Sequence, residues 1–295
     1  MSKSLGMIPH RHRFLMIIGA MKAGTSALFS GLATHPEILG SINKEPNFWD
    51  NSTAGADQLE TYLRCWDLAS KPEATWYMEG STSYTKLPIR RSPAPTLRHL
   101  NADLRFIYVT RNPIDRARSQ YEMSLARGWI KRPLTNEFDP AVSWLSNYYQ
   151  QITPYVDCFG VESIHVISHE ELSADPHGVL VGVAKFLGLD PAGMPPTLPR
   201  VNEALQHRVV RRKLARAQDR AGLNAEELEQ RLDAEVSLTA EHIARLHNEL
   251  EHDLGLFEEM FLLNPWTGKR RSTEASSESH RLDPQIASLQ SLRRA

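Results

Sequence analysis

The 295-residue chain has only two cysteines, Cys65 and Cys158. Two are too few for a disulfide framework, and they suit a reducing compartment. No Cys and His residues show zinc-site spacing, and His10 and His12 lie in a polar N-terminal stretch. Neither sign of charge dominates: 34 Lys and Arg face 35 Asp and Glu, for a net charge of -1. A chain without a global basic field is not built for nonspecific nucleic-acid binding. The apolar run near the N-terminus, Phe14 to Met21, is far short of the ~20 residues that cross a bilayer. It also lacks the length and cleavage site of a secretory signal. No internal repeat is visible. With 41% hydrophobic and 23% charged residues, the chain is neither disordered throughout nor a coiled-coil rod. The expectation is a cytoplasmic protein of bacterial type, with no integral membrane segment and no nucleic-acid partner.

Phe14-Leu15-Met16-Ile17-Ile18 is a continuous apolar run closed by Gly19, the pattern of a strand buried on both faces. A Gly-containing loop follows, then helical spacing from Ala27 to about His35. A second run, Leu104 to Thr110, leads into Arg111-Asn112-Pro113, and Pro113 suits the first turn of a helix reaching Arg127. Shorter strands are expected at 76–79 and 163–167, and helices around 57–66, 94–101, 141–150 and 177–187. This alternation predicts an α/β fold, a three-layer α/β/α sandwich with a central, mainly parallel sheet. Beyond about residue 200 the pattern becomes helical and charged, over 203–220 and 224–254. Residues 1–13 are expected as a flexible leader, 14–267 as the domain and 268–295 as a mobile tail.

The first loop reads Gly19-Ala20-Met21-Lys22-Ala23-Gly24-Thr25-Ser26. A strand, a glycine loop and a helix N-terminus together offer converging backbone N–H groups, which makes an anion site. Gly19 and Gly24 have P-loop spacing, so the fold is P-loop-like. Thr25, however, stands where the P-loop has lysine, and the lysine comes earlier, at Lys22. The second strand ends in Thr110-Arg111, a cation where a Walker-type enzyme places an acid for Mg²⁺. The pair of loops therefore points to an anionic ligand neutralised by the protein, without a metal.

With these two segments in view, the chain resembles the sulfotransferases that use 3′-phosphoadenosine 5′-phosphosulfate (PAPS). Their first loop reads K-x-G-T-[ST], here Lys22-Ala23-Gly24-Thr25-Ser26. Their second motif reads R-[ND]-P-x-x-R-x-x-S-x-Y, here Arg111 through Arg116 and Ser119 to Tyr121. A third segment, Lys44-Glu45-Pro46-Asn47-Phe48-Trp49, resembles the K-E-x-x-[FY]-[FW] stretch of the glycan O-sulfotransferase branch and of bacterial relatives. The resemblance covers about residues 14–190.

This resemblance implies roles. The N–H groups of Ala23, Gly24, Thr25 and Ser26, with the two hydroxyls, hold the 5′-phosphate. Lys22 meets the oxygen that bridges phosphorus and sulfur, where charge builds as that bond breaks. Arg111 and Ser119 bind the 3′-phosphate, Arg through its forked donor and Ser through a hydroxyl. Glu45 is the general base for an acceptor hydroxyl. PAPS is then the co-substrate, adenosine 3′,5′-bisphosphate (PAP) the product, and the partner a hydroxylated acceptor. Arg116 and Arg118 are expected on other faces of their helix, solvated or ion-paired.

One segment departs from the pattern. The glycan branch often carries E-K-x-P-x-Y, and here Glu79-Gly80-Ser81-Thr82-Ser83-Tyr84 has glycine in place of the lysine. That puts a heparan-like acceptor in doubt and raises Lys86 or Arg90 as substitutes. Trp49 and Tyr84 adjoin the motifs and are the expected walls of an acceptor pocket. A late loop closing on the nucleotide is expected within Arg200 to Lys213. Two other classes share part of the signal: a P-loop kinase or nucleotidase, and a noncatalytic nucleotide-binding member of the same fold.

Overall fold

β1 (His12–Gly19) carries Phe14 to Ile18, none of them exposed. A strand apolar on both faces must be covered on both, as the interior of a parallel sheet provides. In the computed structural model, which describes residues 12–50, 55–127, 140–198 and 238–271, β1 is the middle strand of five. The others are β2 (Ile38–Gly40), β3 (Trp76–Glu79), β4 (Ala102–Thr110) and β5 (Ile164–Ser168). Their order is β2-β3-β1-β4-β5, and every neighbouring pair is parallel. Phe14 lies beside Tyr77 on one side and Leu104 on the other, and β4 runs in step with β5 from Phe106↔Ile164 to Thr110↔Ser168.

The described helices are α1 (Thr25–Leu32), α2 (Leu59–Leu63), α3 (Ala94–Leu97), α4 (Pro113–Arg127), α5 (Pro140–Trp144), α6 (Tyr148–Phe159), α7 (His169–Ala174), α8 (Pro176–Leu187) and α9 (Ala240–Phe261). α1 packs on α8, while α6 packs on α3 and α9. This is the expected P-loop-like α/β/α sandwich. The expected helix at 141–150 is two helices: α5 stops at Trp144, and α6 begins at Tyr148 and runs through Pro154 to Phe159. A short hairpin, β6 (Leu263–Asn264) with β7 (Lys269–Arg270), spans the boundary expected at 268. Most of the leader, the stretch from Arg200 to Lys213, the helix at 203–220 and the tail beyond Arg271 lie outside the described residues.

The strand order carries the functional consequence. From β1 the chain goes outward to β2, returns to β3, then crosses to β4 and β5. The connections thus diverge on either side of β1, and the crevice beyond its carboxyl end is the switch point where doubly wound folds bind ligands. The loops after β1, β2, β3 and β4 all open there. Among the described residues no helix is long and apolar enough to cross a membrane.

Candidate active site

β1 has to end in glycine. A Cβ on Gly19 would run into the Thr85 hydroxyl and come within 2.8 Å of the Tyr108 ring. The Thr85 hydroxyl donates to Ile18 O at 2.6 Å, so the loop after β3 is pinned to the end of β1. Beyond Gly19, Ala20 N–H donates to Val109 O at 2.8 Å and Ala23 N–H to Ala20 O at 3.2 Å. Lys22 (φ 72°) and Gly24 (φ 92°) are both left-handed, which curls the loop back on itself. Glycine suits the second position twice over, because a Cβ there would also stand 2.8 Å from His169 Nδ1. The Gly24 carbonyl takes the N–H groups of Ala27 and Leu28. α1 then starts with no acidic residue in its first turn and no side-chain cap. The first N–H groups of a helix lack intrahelical acceptors, so this end favours an anion.

Arg111 joins this loop to β4. Its Nη1 donates to Lys22 O at 3.1 Å, and the Tyr148 hydroxyl donates to Arg111 O at 2.6 Å. Burial pushes the Tyr148 hydroxyl up to about 12, so it stays a protonated donor here. Asn112 Oδ1 accepts the N–H groups of Ile114 and Asp115, capping α4 ahead of Pro113. Its Nδ2 donates to Trp266 O at 2.8 Å, which ties the β6–β7 hairpin to this end of the sheet. His169, the first residue of α7, packs over Gly24. Burial and the neighbouring Arg111 push its imidazole down, which favours the neutral ring.

The two flanking arginines of α4 differ. Arg118 pairs with Asp115 at 3.5 Å on the surface, as expected. Arg116, expected outside, is fully buried. Its guanidinium is satisfied by Ser146 Oγ (2.7 Å), Gln120 Oε1 (2.8 Å) and Val142 O (2.5 Å), so neutral acceptors replace water and knit α4 to α5. Ser119 is half-buried two turns into α4, and among the described residues no hydrogen bond ties it to Arg111.

Glu45 follows β2 and is partly exposed. Its Oε1 accepts from Lys44 Nζ at 2.9 Å and from Thr82 Oγ1 at 3.4 Å. Lys44 Nζ reaches Thr25 Oγ1 at 3.3 Å, so the structure brings Glu45, Lys44 and the phosphate-type loop into one cluster. A buried network holds the Glu45 segment from behind. Glu79 accepts from Tyr62 (2.5 Å), from Tyr84 (2.9 Å) and from Ser81 Oγ. Ser81 Oγ accepts Asn47 N–H at 3.0 Å, Tyr84 Oη accepts Trp49 N–H at 3.3 Å, and Ser83 donates to Asn47 Oδ1 at 2.6 Å. Burial outweighs the three hydroxyl donors and pushes the Glu79 carboxyl up to about 7.

This network corrects the expected acceptor walls. Trp49 and Tyr84 are buried, with Tyr84 committed to Glu79 and Trp49 packed edge-on against Tyr62. They shape the segment that carries Glu45 from behind. Sequence reasoning missed the contacts of Lys44 and Glu79, although both stand in segments it had singled out. Among the described residues no three His, Cys, Asp or Glu side chains cluster as a metal requires.

A curled glycine loop, an uncapped helix N-terminus and an arginine from the next strand, all at the switch point of a parallel sheet, define a protein of the P-loop-like α/β/α class, with a crevice whose chemistry suits an anion. The particular family follows from comparison: a family model described as Sulfotransferase domain matches residues 13–244, and the chain belongs to that family, the PAPS-dependent one its motifs resemble. Among curated relatives, heparan sulfate glucosamine 3-O-sulfotransferase 3B1 of Mus musculus is 31% identical over 189 residues, 59% of this chain and 45% of its own length. Heparan sulfate glucosamine 3-O-sulfotransferase 6 of Mus musculus is 28% identical over 203 residues, 61% of this chain and 54% of its own. The chain thus spans about half the length of the curated relatives it matches. A solved sulfotransferase from Alicyclobacillus acidocaldarius shares the fold at a TM-score of 0.51 and 23% identity, covering 73% of this chain and 98% of that one.

Proposed function

We propose that residues 14–267 form a sulfotransferase domain that moves a sulfuryl group from PAPS to a hydroxyl of a small molecule, lipid or glycan, leaving PAP. The observation that carries this reading is the Arg111 guanidinium on Lys22 O, 3.1 Å away. It makes one anion site from the ends of two adjacent strands. A ligand with a phosphate at each end fits such a site.

The fit rests on the loop itself. Lys22 and Gly24 are left-handed, and α1 opens without an acid or a cap, so the N–H groups of Gly24, Thr25 and Ser26 are available to a 5′-phosphate, while the expected Ala23 N–H is spent on Ala20 O, closing the turn of the loop. Arg111 takes the 3′-phosphate, with Ser119 from α4 as a second donor. Lys22 neutralises the charge that develops on the oxygen bridging phosphorus and sulfur as that S–O bond breaks. Glu45 receives the acceptor's proton while the acceptor oxygen forms the new S–O bond. The cation Arg111 at the end of β4, where Mg²⁺ would need an acid, supports metal-free transfer. The two cysteines are unpaired, which supports a cytoplasmic setting.

The test is calorimetric titration with PAP in EDTA, with ATP as control. Losing a charged donor to phosphate costs about 1.5–3 kcal/mol, or 10- to 100-fold in affinity. Micromolar binding of PAP that weakens by that factor in Arg111→Ala is the expected result. A preference for ATP once Mg²⁺ is restored would overturn the reading.

A further inference from the structure

Gly80 is the position where a lysine is missing from the third segment's partner motif, and the structure shows what occupies its place. Gly80 N–H donates to Lys44 O at 2.8 Å, so the two backbones run side by side. A Cβ built on Gly80 would lie 3.2 Å from Lys44 Cε and 3.4 Å from its Cγ and Nζ. The Lys44 stem therefore lies over the bare α-carbon of residue 80. Its ammonium is anchored by Gly80 O at 3.1 Å. Its other two contacts are Thr25 Oγ1 at 3.3 Å and Glu45 Oε1 at 2.9 Å.

Those two contacts belong to opposite sides of the proposed reaction. Thr25 opens α1 on the phosphate side, and Glu45 stands on the acceptor side. A sulfuryl group in transit passes between them, and its oxygens carry negative charge throughout. An ammonium has three donors and no acceptor; one stays on Gly80 O, and the two that meet Thr25 and Glu45 are the ones that turn to the sulfuryl oxygens. Neither Lys86 nor Arg90 is needed to supply the cation.

We infer that Lys44 is a catalytic residue that binds the transferring sulfuryl group, its ammonium filling the seat that a lysine at position 80 would otherwise reach. This rests on the proposed sulfotransferase reading. The plainer alternative makes Lys44 a tether that only fastens the Glu45 segment to Gly80 and Thr25.

Binding separates the two without an acceptor, because PAPS carries the sulfuryl group and PAP does not. Titrations of the full chain with each nucleotide are compared for wild type, Lys44→Met, Lys44→Ala and the double variant Lys44→Ala with Gly80→Lys. Met keeps the stem over Gly80 and removes only the donors. Lys44→Met is expected to weaken PAPS about 10-fold or more, the scale of one charged hydrogen bond, and PAP less than about 3-fold. The double variant is expected to regain most of the PAPS affinity lost in Lys44→Ala, since removing the Lys44 stem frees the space beside residue 80 and its φ is not left-handed. Equal changes for both nucleotides, or no change, would overturn the inference and leave the tether. A double variant no tighter for PAPS than Lys44→Ala, with an unchanged melting temperature, would overturn the shared seat. A wild type that binds neither nucleotide would overturn the sulfotransferase reading itself.

Discussion

Glu79 shows how one buried carboxyl supports a site it does not enter. It receives three hydroxyl donors, from Tyr62, Ser81 and Tyr84, and through the last two it sets the backbone at Asn47 and Trp49. Its carboxyl is raised from 4.5 to about 7 because burial dominates those donors. The folded state thus holds this proton more tightly than the unfolded chain. Its contribution is complete below about 4.5 and is lost as pH rises through about 7, a total of about 3 kcal/mol. Urea midpoints measured from pH 5 to pH 8 should fall for the wild type, and Glu79→Gln should flatten that slope. Glu45 offers the complementary test. Being partly exposed and outside the phosphate loop, it is expected to matter for turnover alone. Glu45→Gln should cut kcat by about 100-fold or more, in the range of general-base catalysis, with PAP affinity nearly unchanged by calorimetry. Lys22 and Arg111 were legible as residues because each stands at a fixed offset from an expected strand end, and Glu45 because its segment resembles the K-E-x-x-[FY]-[FW] stretch of the glycan branch. The hub at Glu79 was not, because its partners at positions 62, 81 and 84 converge only after folding.

At the scale of elements, α6 explains why a boundary was misread. Periodicity stops making sense near residue 150, since Pro154 interrupts an otherwise helical stretch. The helix continues because Tyr148, Ile152, Tyr155 and Val156 all face the core, and that packing outweighs the lost N–H. Its N-terminus is capped from far away. Asn147 makes no side-chain cap, while Asp253 on α9 accepts the N–H groups of Tyr149 and Gln150 at 3.0 and 2.8 Å. Removing a cap of this kind typically costs about 1 kcal/mol. Asp253→Ala should therefore lower the thermal midpoint, and Asp253→Asn, which keeps an acceptor, should lower it less. β2 was missed for a different reason: three residues are too short to show a period, and the strand exists because β3 offers it an edge.

At the scale of the molecule, the site is an outcome of strand order. Loops separated by dozens of residues meet because β1 is central and β3 and β4 flank it. A ligand that touches several of them must stabilise the whole domain. At 100 times its Kd, PAP should add about 2.7 kcal/mol. For a chain of this size that raises Tm by several degrees, readable by calorimetry, and the rise should shrink in Arg111→Ala.

The sequence by itself determined the class of fold and, through the two motif segments at 22–26 and 111–121, the family. These are local features: an apolar run, a glycine spacing and an arginine at a strand end are written in consecutive residues. Only the tertiary structure decided that Arg116 is buried, that Trp49 and Tyr84 are support for the Glu45 segment, and that Lys44 lies over Gly80 beside Thr25 and Glu45. Each of these depends on burial and on contacts between distant segments. Desolvation and packing act on neighbours in space, and a linear pattern does not name them.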